Sequence, residues 1–312
     1  MAALAPIALF VYDRPEHTRR VLETLTANPE AARSRLVVYA DGPTPDAPGE
    51  QRARIDEVRR LVQSKPWCGE VDLVARPSNV GMAESIVSGV GACLDAVPSV
   101  IVIEDDLILS PGFLRYMNDA LVLYADDEQV MHVSAYMFPV RGSLPETFFF
   151  NSTSCWGWGT WRRAWRCLER DPALLIERLE RSGRLREFNL DGAYDFESHL
   201  RANATGEMST WAVRWYASVF LARGLCLHPG RSLVRNAGHD GTGTHCAENQ
   251  VYLQQRLGDW VSVDRVPLRE NLRARARAGD FLAGVAAASL KGRLRRRLRL
   301  AVRGARTRLG RD

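Results

Sequence analysis

Short apolar runs alternate with longer stretches whose apolar residues recur three and four apart. The runs 6–12 (PIALFVY), 35–42 (RLVVYADG), 71–77 (VDLVARP) and 99–106 (SVIVIEDD) are rich in β-branched residues and end at polar or turn-forming positions, which predicts four strands. Between them the spacing predicts helices over 15–27, 50–64 and 81–97, the second with Ile55, Val58, Leu61 and Val62 along one face. Strands alternating with helices at this interval predict an α/β fold, a mostly parallel sheet flanked by helices.

The second half follows another rhythm. Strand-like runs at 130–136 and 148–150 precede "CWGWGTWRRAW", with four tryptophans in ten residues. Helical spacing returns over 173–188, 193–203 and 210–223. A strand and a glycine-rich loop follow in "GLCLHPGRSLVRNAGHDGTGTHC". The stretch 250–280 is polar and carries no assignable period.

Composition narrows the class. Hydrophobic residues make up 46% and charged residues 25%, a globular balance, and no apolar run reaches the roughly 20 residues of a membrane-spanning helix. The N-terminus has no basic segment before its apolar run, so it reads as a first strand and the expected location is the cytoplasm. Six scattered cysteines without a C-x-x-C pair read as mostly buried free thiols. The net charge of +5 is uneven: residues 291–312 hold ten Lys or Arg and one acid, leaving 32 basic and 36 acidic side chains in the body. A slightly acidic body is not a nucleic-acid-binding domain.

The chemistry gathers at the carboxyl ends of the strands, where open α/β sheets bind ligands. Asp13 and Arg14 follow the first strand, Asp41 and Gly42 the second, Asn79 and Gly81 the third. The fourth ends in Glu104, Asp105 and Asp106. Three adjacent acids repel by roughly 1 kcal/mol per pair near 4 Å even in water, so a bound cation is expected to compensate them.

That triplet, preceded by "VYDRPEHTRRVL" and "VYADG", resembles the GT-A nucleotide-sugar glycosyltransferases, above all bacterial family 2 enzymes and the N-acetylglucosaminyltransferase I family. The likeness spans residues 6–250. It implies a Rossmann-like fold divided into a nucleotide-sugar-binding half (1–140), an acceptor-side half of the same domain with helical character (141–265) and a basic C-terminal tail (266–312). It implies a UDP-sugar donor, Mn²⁺ or Mg²⁺ as cofactor, and transfer to a glycan or lipid-linked glycan with inversion. Asp106 would hold the metal, Asp105 the ribose or sugar, Glu104 a sugar hydroxyl, Arg14 a phosphate and Asp41 the uracil ring. Asn79 would lie in a loop closing over the nucleotide. Trp158 would lie against the sugar face, while Trp161 and Trp165 pack in the core. His245, in the glycine-rich loop, would be a further metal ligand.

One position departs from the pattern. Where these families carry a catalytic aspartate after a tryptophan, "STWAVRWY" offers Ala212 and Val213. The base is then sought at Glu207 or Asp195. Two other readings stay open: a nucleotide-sugar-binding protein without turnover, and a nucleotidyltransferase, although "VYDRPEHTRR" lacks the Gly-rich, Lys-containing loop of the latter. In the tail, Leu290, Leu294, Leu298 and Val302 recur at intervals of four among arginines. This predicts a basic amphipathic helix suited to an anionic membrane surface, and a peripheral place on the inner face of the cell membrane.

Overall fold

The computed structural model describes residues 4–238, 255–285 and 287. Strands β1 (Ile7–Val11), β2 (Arg35–Ala40), β3 (Glu70–Ala75) and β4 (Ser99–Glu104) alternate with helices α1 (Pro15–Thr26), α2 (Gly49–Gln63) and α3 (Met82–Ala96). Next come β5 (Leu107–Leu109), α4 (Phe113–Leu123), β6 (Val130–Ser134), β7 (Thr147–Phe149), β8 (Trp158–Trp161) and α5 (Arg162–Trp165). Helices α6 (Pro172–Ser182), α7 (Leu185–Phe188), α8 (Phe196–Ala204) and α9 (Ala212–Leu221) precede β9 (Leu225–Pro229) and β10 (Val234–Asn236). A last described helix, α10, covers 272–285.

Eight strands form one sheet in the order β3-β2-β1-β4-β8-β6-β9-β7, and β5 pairs with β10 apart from it. The pairs β1/β2, β1/β4, β2/β3 and β6/β9 are parallel, and those made by β8 and β7 are antiparallel. This is the mixed, mostly parallel α/β sheet that the strand–helix alternation predicts. Successive residues of each strand serve opposite layers. Ile7, Leu9, Ile101 and Ile103 pack with Val21, Leu22, Leu61, Leu114 and Met117 of α1, α2 and α4. Ala8, Phe10, Val100 and Val102 pack with Ile86, Val90 and Trp215 of α3 and α9 on the other face. Each fully buried aliphatic or aromatic side chain contributes roughly 1.5–3 kcal/mol, so strands buried on both faces read as continuous apolar runs.

The strand order fixes where a ligand can sit. The crossovers β1→β2→β3 step one way, and β3→β4 then returns past β1 with α3 on the opposite face. The crevice between the carboxyl ends of β1 and β4 is therefore the topological switch point.

Several elements differ from the sequence pattern. The helix predicted over 173–188 breaks at Gly183, whose φ of +65° ends α6. The tryptophan stretch, to which the sequence pattern assigns no element, forms β8 and inserts antiparallel between β4 and β6. Helix α10 lies within the stretch read as the start of the tail, yet its Ala274, Ala278 and Leu282 are buried against Phe148, Phe150 and Leu190. Cys68, Cys93 and Cys226 are buried free thiols, but Cys167 is exposed. The C-terminal basic segment from 288 onward lies outside the described residues, as does His245. Among the described residues no helix is long and apolar enough to cross a membrane.

Candidate functional site

Arg14 and the acid triplet meet across the switch point. Arg14 leaves the end of β1 just before Pro15 starts α1, and Phe10 of β1 pairs with Glu104 of β4. The Arg14 Nη1 lies 3.4 Å from Asp106 Oδ2 and 3.7 Å from Asp105 Oδ1. On its other side Asp106 Oδ1 accepts from Asn236 Nδ2 (3.4 Å), and its carbonyl accepts from Ala237 N (2.7 Å). The segment after β10 thus closes one wall around Asp106.

Crowding and burial raise the proton affinity of the acids. Glu104 is pushed well above the usual carboxylate range by burial, then by Asp106 and Asp105. Asp105 is pushed up to about 7 by burial first and Asp106 second, against the opposing pull of Arg14. Among the described residues one arginine, Arg14, is paired with a cluster of three acids, and each carboxylate offers only oxygen. A divalent hard cation fits that donor chemistry, since Mg²⁺-type sites commonly take one or two carboxylates and fill the rest with phosphate and water. Among the described residues no group of three or more His, Cys, Asp or Glu is arranged to hold a metal alone. Asp106 is the member at the crevice mouth with Arg14 beside it.

Asp41 and Asn79 come together at the neighbouring strand ends. Asp41 is buried, and its carboxylate accepts from Gly42 N, Val80 N, Gly81 N and Asn79 Nδ2 at 2.9–3.1 Å. Gly42 permits this closeness: a Cβ there would stand 2.5 Å from Ser78 N. The expected uracil acceptor is therefore occupied by its own loop. Tyr12, which the sequence reading passed over, stands beside it. Burial raises its phenol pKa most, followed by Asp13 and Asp41, and a hydrogen bond from Asn79 opposes them. An aromatic residue directly before the Asp-Arg dipeptide was the signal available.

The stretch 150–157 runs along the Glu104 side. The Cys155 thiol is pushed well up by burial first and then by the charge of Glu104. Two buried histidines hold this stretch. His132 Nδ1 accepts the Trp215 indole N–H (3.2 Å), so its protonated Nε2 donates to the Ser154 carbonyl (3.0 Å). His228 lies between the carbonyls of Tyr136 (3.1 Å) and Ser152 (2.9 Å).

Trp158, expected against a sugar, is instead a core residue with no exposed surface. Its ring lies against His132 at 5.3 Å and Trp211 at 5.0 Å, because strand pairing turns it into the layer beneath α9. Trp161 and Trp165 are buried as the sequence predicts. Asp195 caps α8, accepting from Ser198 N at 3.0 Å. Glu207 is exposed between α8 and α9. Neither exchanges a hydrogen bond or ion pair with the triplet.

No protein-family model matches the chain, and no curated protein does. Among solved structures, the chain is similar to a mannosyltransferase from Pyrobaculum calidifontis in complex with GDP-Man and Mn²⁺, at 13% identity over 70% of this chain and 74% of that one, with a TM-score of 0.37. It is also similar to TarS of S. aureus, at 14% identity and a TM-score of 0.29, spanning 46% of this chain and only 24% of TarS. Against TarS residues 1–349 the figures are 12% identity, a TM-score of 0.33, and 51% and 47% of the two chains.

Proposed function

We propose that this chain is a metal-dependent glycosyltransferase that moves a sugar from a nucleoside-diphosphate donor, UDP-sugar in the first instance, to a glycan or lipid-linked hydroxyl. The carrying observation is the meeting of Arg14 with Asp105 and Asp106 at the sheet's switch point. Arg14 would face a phosphate, where a guanidinium can donate two parallel bonds. Glu104, half-buried on the Cys155 side, would accept from a sugar hydroxyl, and Asp105 from the ribose or sugar. Asp106 would hold Mn²⁺ or Mg²⁺, which when bound supplies Lewis-acid stabilisation to the leaving diphosphate.

In this reading an acceptor hydroxyl attacks the anomeric carbon as the bond from that carbon to the phosphate oxygen breaks, with inversion. Its proton passes to a carboxylate. Of the two acids considered, Asp195 is committed to its helix cap, which leaves Glu207 as the proposed base. It lies in the segment between α8 and α9 that leads to Ala212, the position where the resembling families would carry the acid.

Two alternatives keep a specific observation behind them. The absent acid in "WAVRW" favours a binding protein without turnover, and the metal-suited strand end also fits a nucleotidyltransferase. Incubation with UDP-sugars, and in parallel with UTP plus a sugar 1-phosphate, each with Mn²⁺, separates the three readings. Glycosyl transfer or hydrolysis releases UDP, nucleotidyl transfer releases pyrophosphate, and simple binding releases neither. Pyrophosphate release, or binding with no product across a panel of acceptors, overturns the proposal.

A further inference from the structure

Strand β3 is an edge of the sheet, and among the described residues it pairs with β2 alone. The opposite edge, β7, is covered in part: Phe149 bridges to Glu270, and its carbonyl accepts from Asn271 N (2.8 Å). At the start of β3, Glu70 N donates to Ser34 O (3.3 Å), and just beyond its end Arg76 N donates to Ala40 O (2.9 Å). The even-numbered residues therefore turn their backbone groups toward β2. By alternation Val71, Leu73 and Ala75 turn theirs outward. A row of this kind is a template for another strand.

The side chains divide the same way. Val71 and Leu73 pack, part-buried, against the layer that holds Val58 and Val62 of α2. Glu70, Asp72, Val74 and Arg76 lie on the other face, toward α3, where Arg76 Nη2 donates to Ser88 Oγ (2.8 Å). Arg35 of β2 faces two acids there, Asp72 at 2.8 Å and Glu70 at 3.6 Å. Val74 is an exposed apolar side chain on the same face.

A second copy of β3, laid antiparallel about a two-fold axis, fits one register best. Centred on Leu73, all three outward residues find partners: Leu73 meets its own copy, and Val71 meets the second copy's Ala75. One face of the joint is then wholly apolar. On the other, Glu70 stands opposite the second copy's Arg76, twice by symmetry, at non-hydrogen-bonded positions where side chains come closest. Centring on Asp72 sets that acid against itself, and centring on Val71 sets Glu70 against Asp72. Centring on Val74 leaves Val71 facing Pro77, which has no N–H to give.

We infer that this chain forms a two-fold dimer by antiparallel pairing of β3 with β3 of a second copy, in the register centred on Leu73. The dimer joins two eight-stranded sheets into one. Because the strands meet antiparallel, its two switch-point crevices lie at opposite ends of the joined sheet.

Sedimentation equilibrium of the full chain at low salt should show a reversible monomer–dimer equilibrium. Ala75→Pro removes an outward N–H and spares the ladder to β2, a change that an edge strand tolerates. It should give a monomer with an unchanged far-UV spectrum. Glu70→Arg and Arg76→Glu each set like charges opposite one another at both symmetry-related positions. Each should raise the dimer dissociation constant by about tenfold or more. Mixed in equal amounts, these two variants present opposite charges again and should form a heterodimer of nearly wild-type affinity. A misfolded variant gives no such rescue. A wild type that stays monomeric at every concentration reached overturns the inference. So does an Ala75→Pro chain that dimerises like wild type, or a pair of charge variants that stay apart when mixed.

Discussion

Asp106 raises the proton affinity of both acids before it, so at neutral pH the ligand-free protein holds unfavourable charge at the end of β4. Asp106→Asn removes that charge at nearly constant volume. The ligand-free variant should melt slightly higher, by about 2 °C for each 1 kcal/mol of repulsion relieved. It should also lose Mn²⁺-dependent binding of UDP. A variant that binds UDP with Mn²⁺ as tightly as wild type would remove Asp106 from the metal role. Glu207→Gln tests the base: turnover should fall by roughly 10²-fold or more while donor affinity holds. Full activity in that variant would send the search to other acids. Much of this site was legible in the residues themselves. Acids in sequence at a strand end, and Arg14 after β1, needed only the parallel-sheet rule to be brought together. Trp158 was misplaced, and the bonds that Asp41 accepts from residues 79–81 went unseen, because these partners are distant in sequence, and neither a dipeptide nor a tryptophan count reveals an occupied carboxylate or a filled layer.

Among the elements, β1 to β4 and their helices were readable because each is a local period with its own terminator. Strand β8 was not, since four tryptophans among glycines give no alternation and its place between β4 and β6 is a purely non-local choice. Loop–strand contacts carry two further expectations. Gly42→Ala would drive a Cβ into the Ser78 backbone, at 2.5 Å, and displace the loop that Asp41 holds. Nucleotide affinity should drop together with Tm, and calorimetry beside a thermal melt shows both. The second concerns β6 and β9, where burial holds His132 down to about 3 and His228 down to about 4. Their unfolded pKa lies near 6.5. Below that value the unfolded chain takes up protons that the folded chain refuses, so stability is lost as pH falls from about 6.5 toward 4. Each histidine accounts for about 2 kcal/mol by pH 5. The raised acids Glu104 and Asp105 slope the other way, so the comparison must be between variants. His132→Gln should lose less stability than wild type between pH 7 and pH 5, read from denaturant midpoints, and an identical pH profile would mean that His132 titrates normally.

At the scale of the whole molecule, the basic segment from 288 onward bears on where the proposed enzyme would work. Each Lys or Arg near an anionic leaflet contributes about 1 kcal/mol. Deleting 288–312 should release the protein from phosphatidylserine vesicles at low salt and leave turnover of a short soluble acceptor unchanged. Full-length protein that ignores such vesicles would end the membrane proposal. The antiparallel seating of β8 reaches further. Many two-substrate enzymes open and shut by swinging one lobe against another along a seam that few bonds cross. Here the seam is stitched: β8, from the half that would receive the acceptor, pairs with Ser99–Val102 of the acidic strand on one edge and with β6 on the other. The two halves form one continuous plate and cannot swing apart without tearing a ladder. A chain cut at residue 140 would keep β4 and β6 but lack β8 between them and β9 beyond, leaving one raw edge on β4 and both edges of β6 prone to pairing with other copies. Such a fragment should elute as aggregate where the intact chain does not, and whatever motion admits substrate must belong to loops at the rim of the plate.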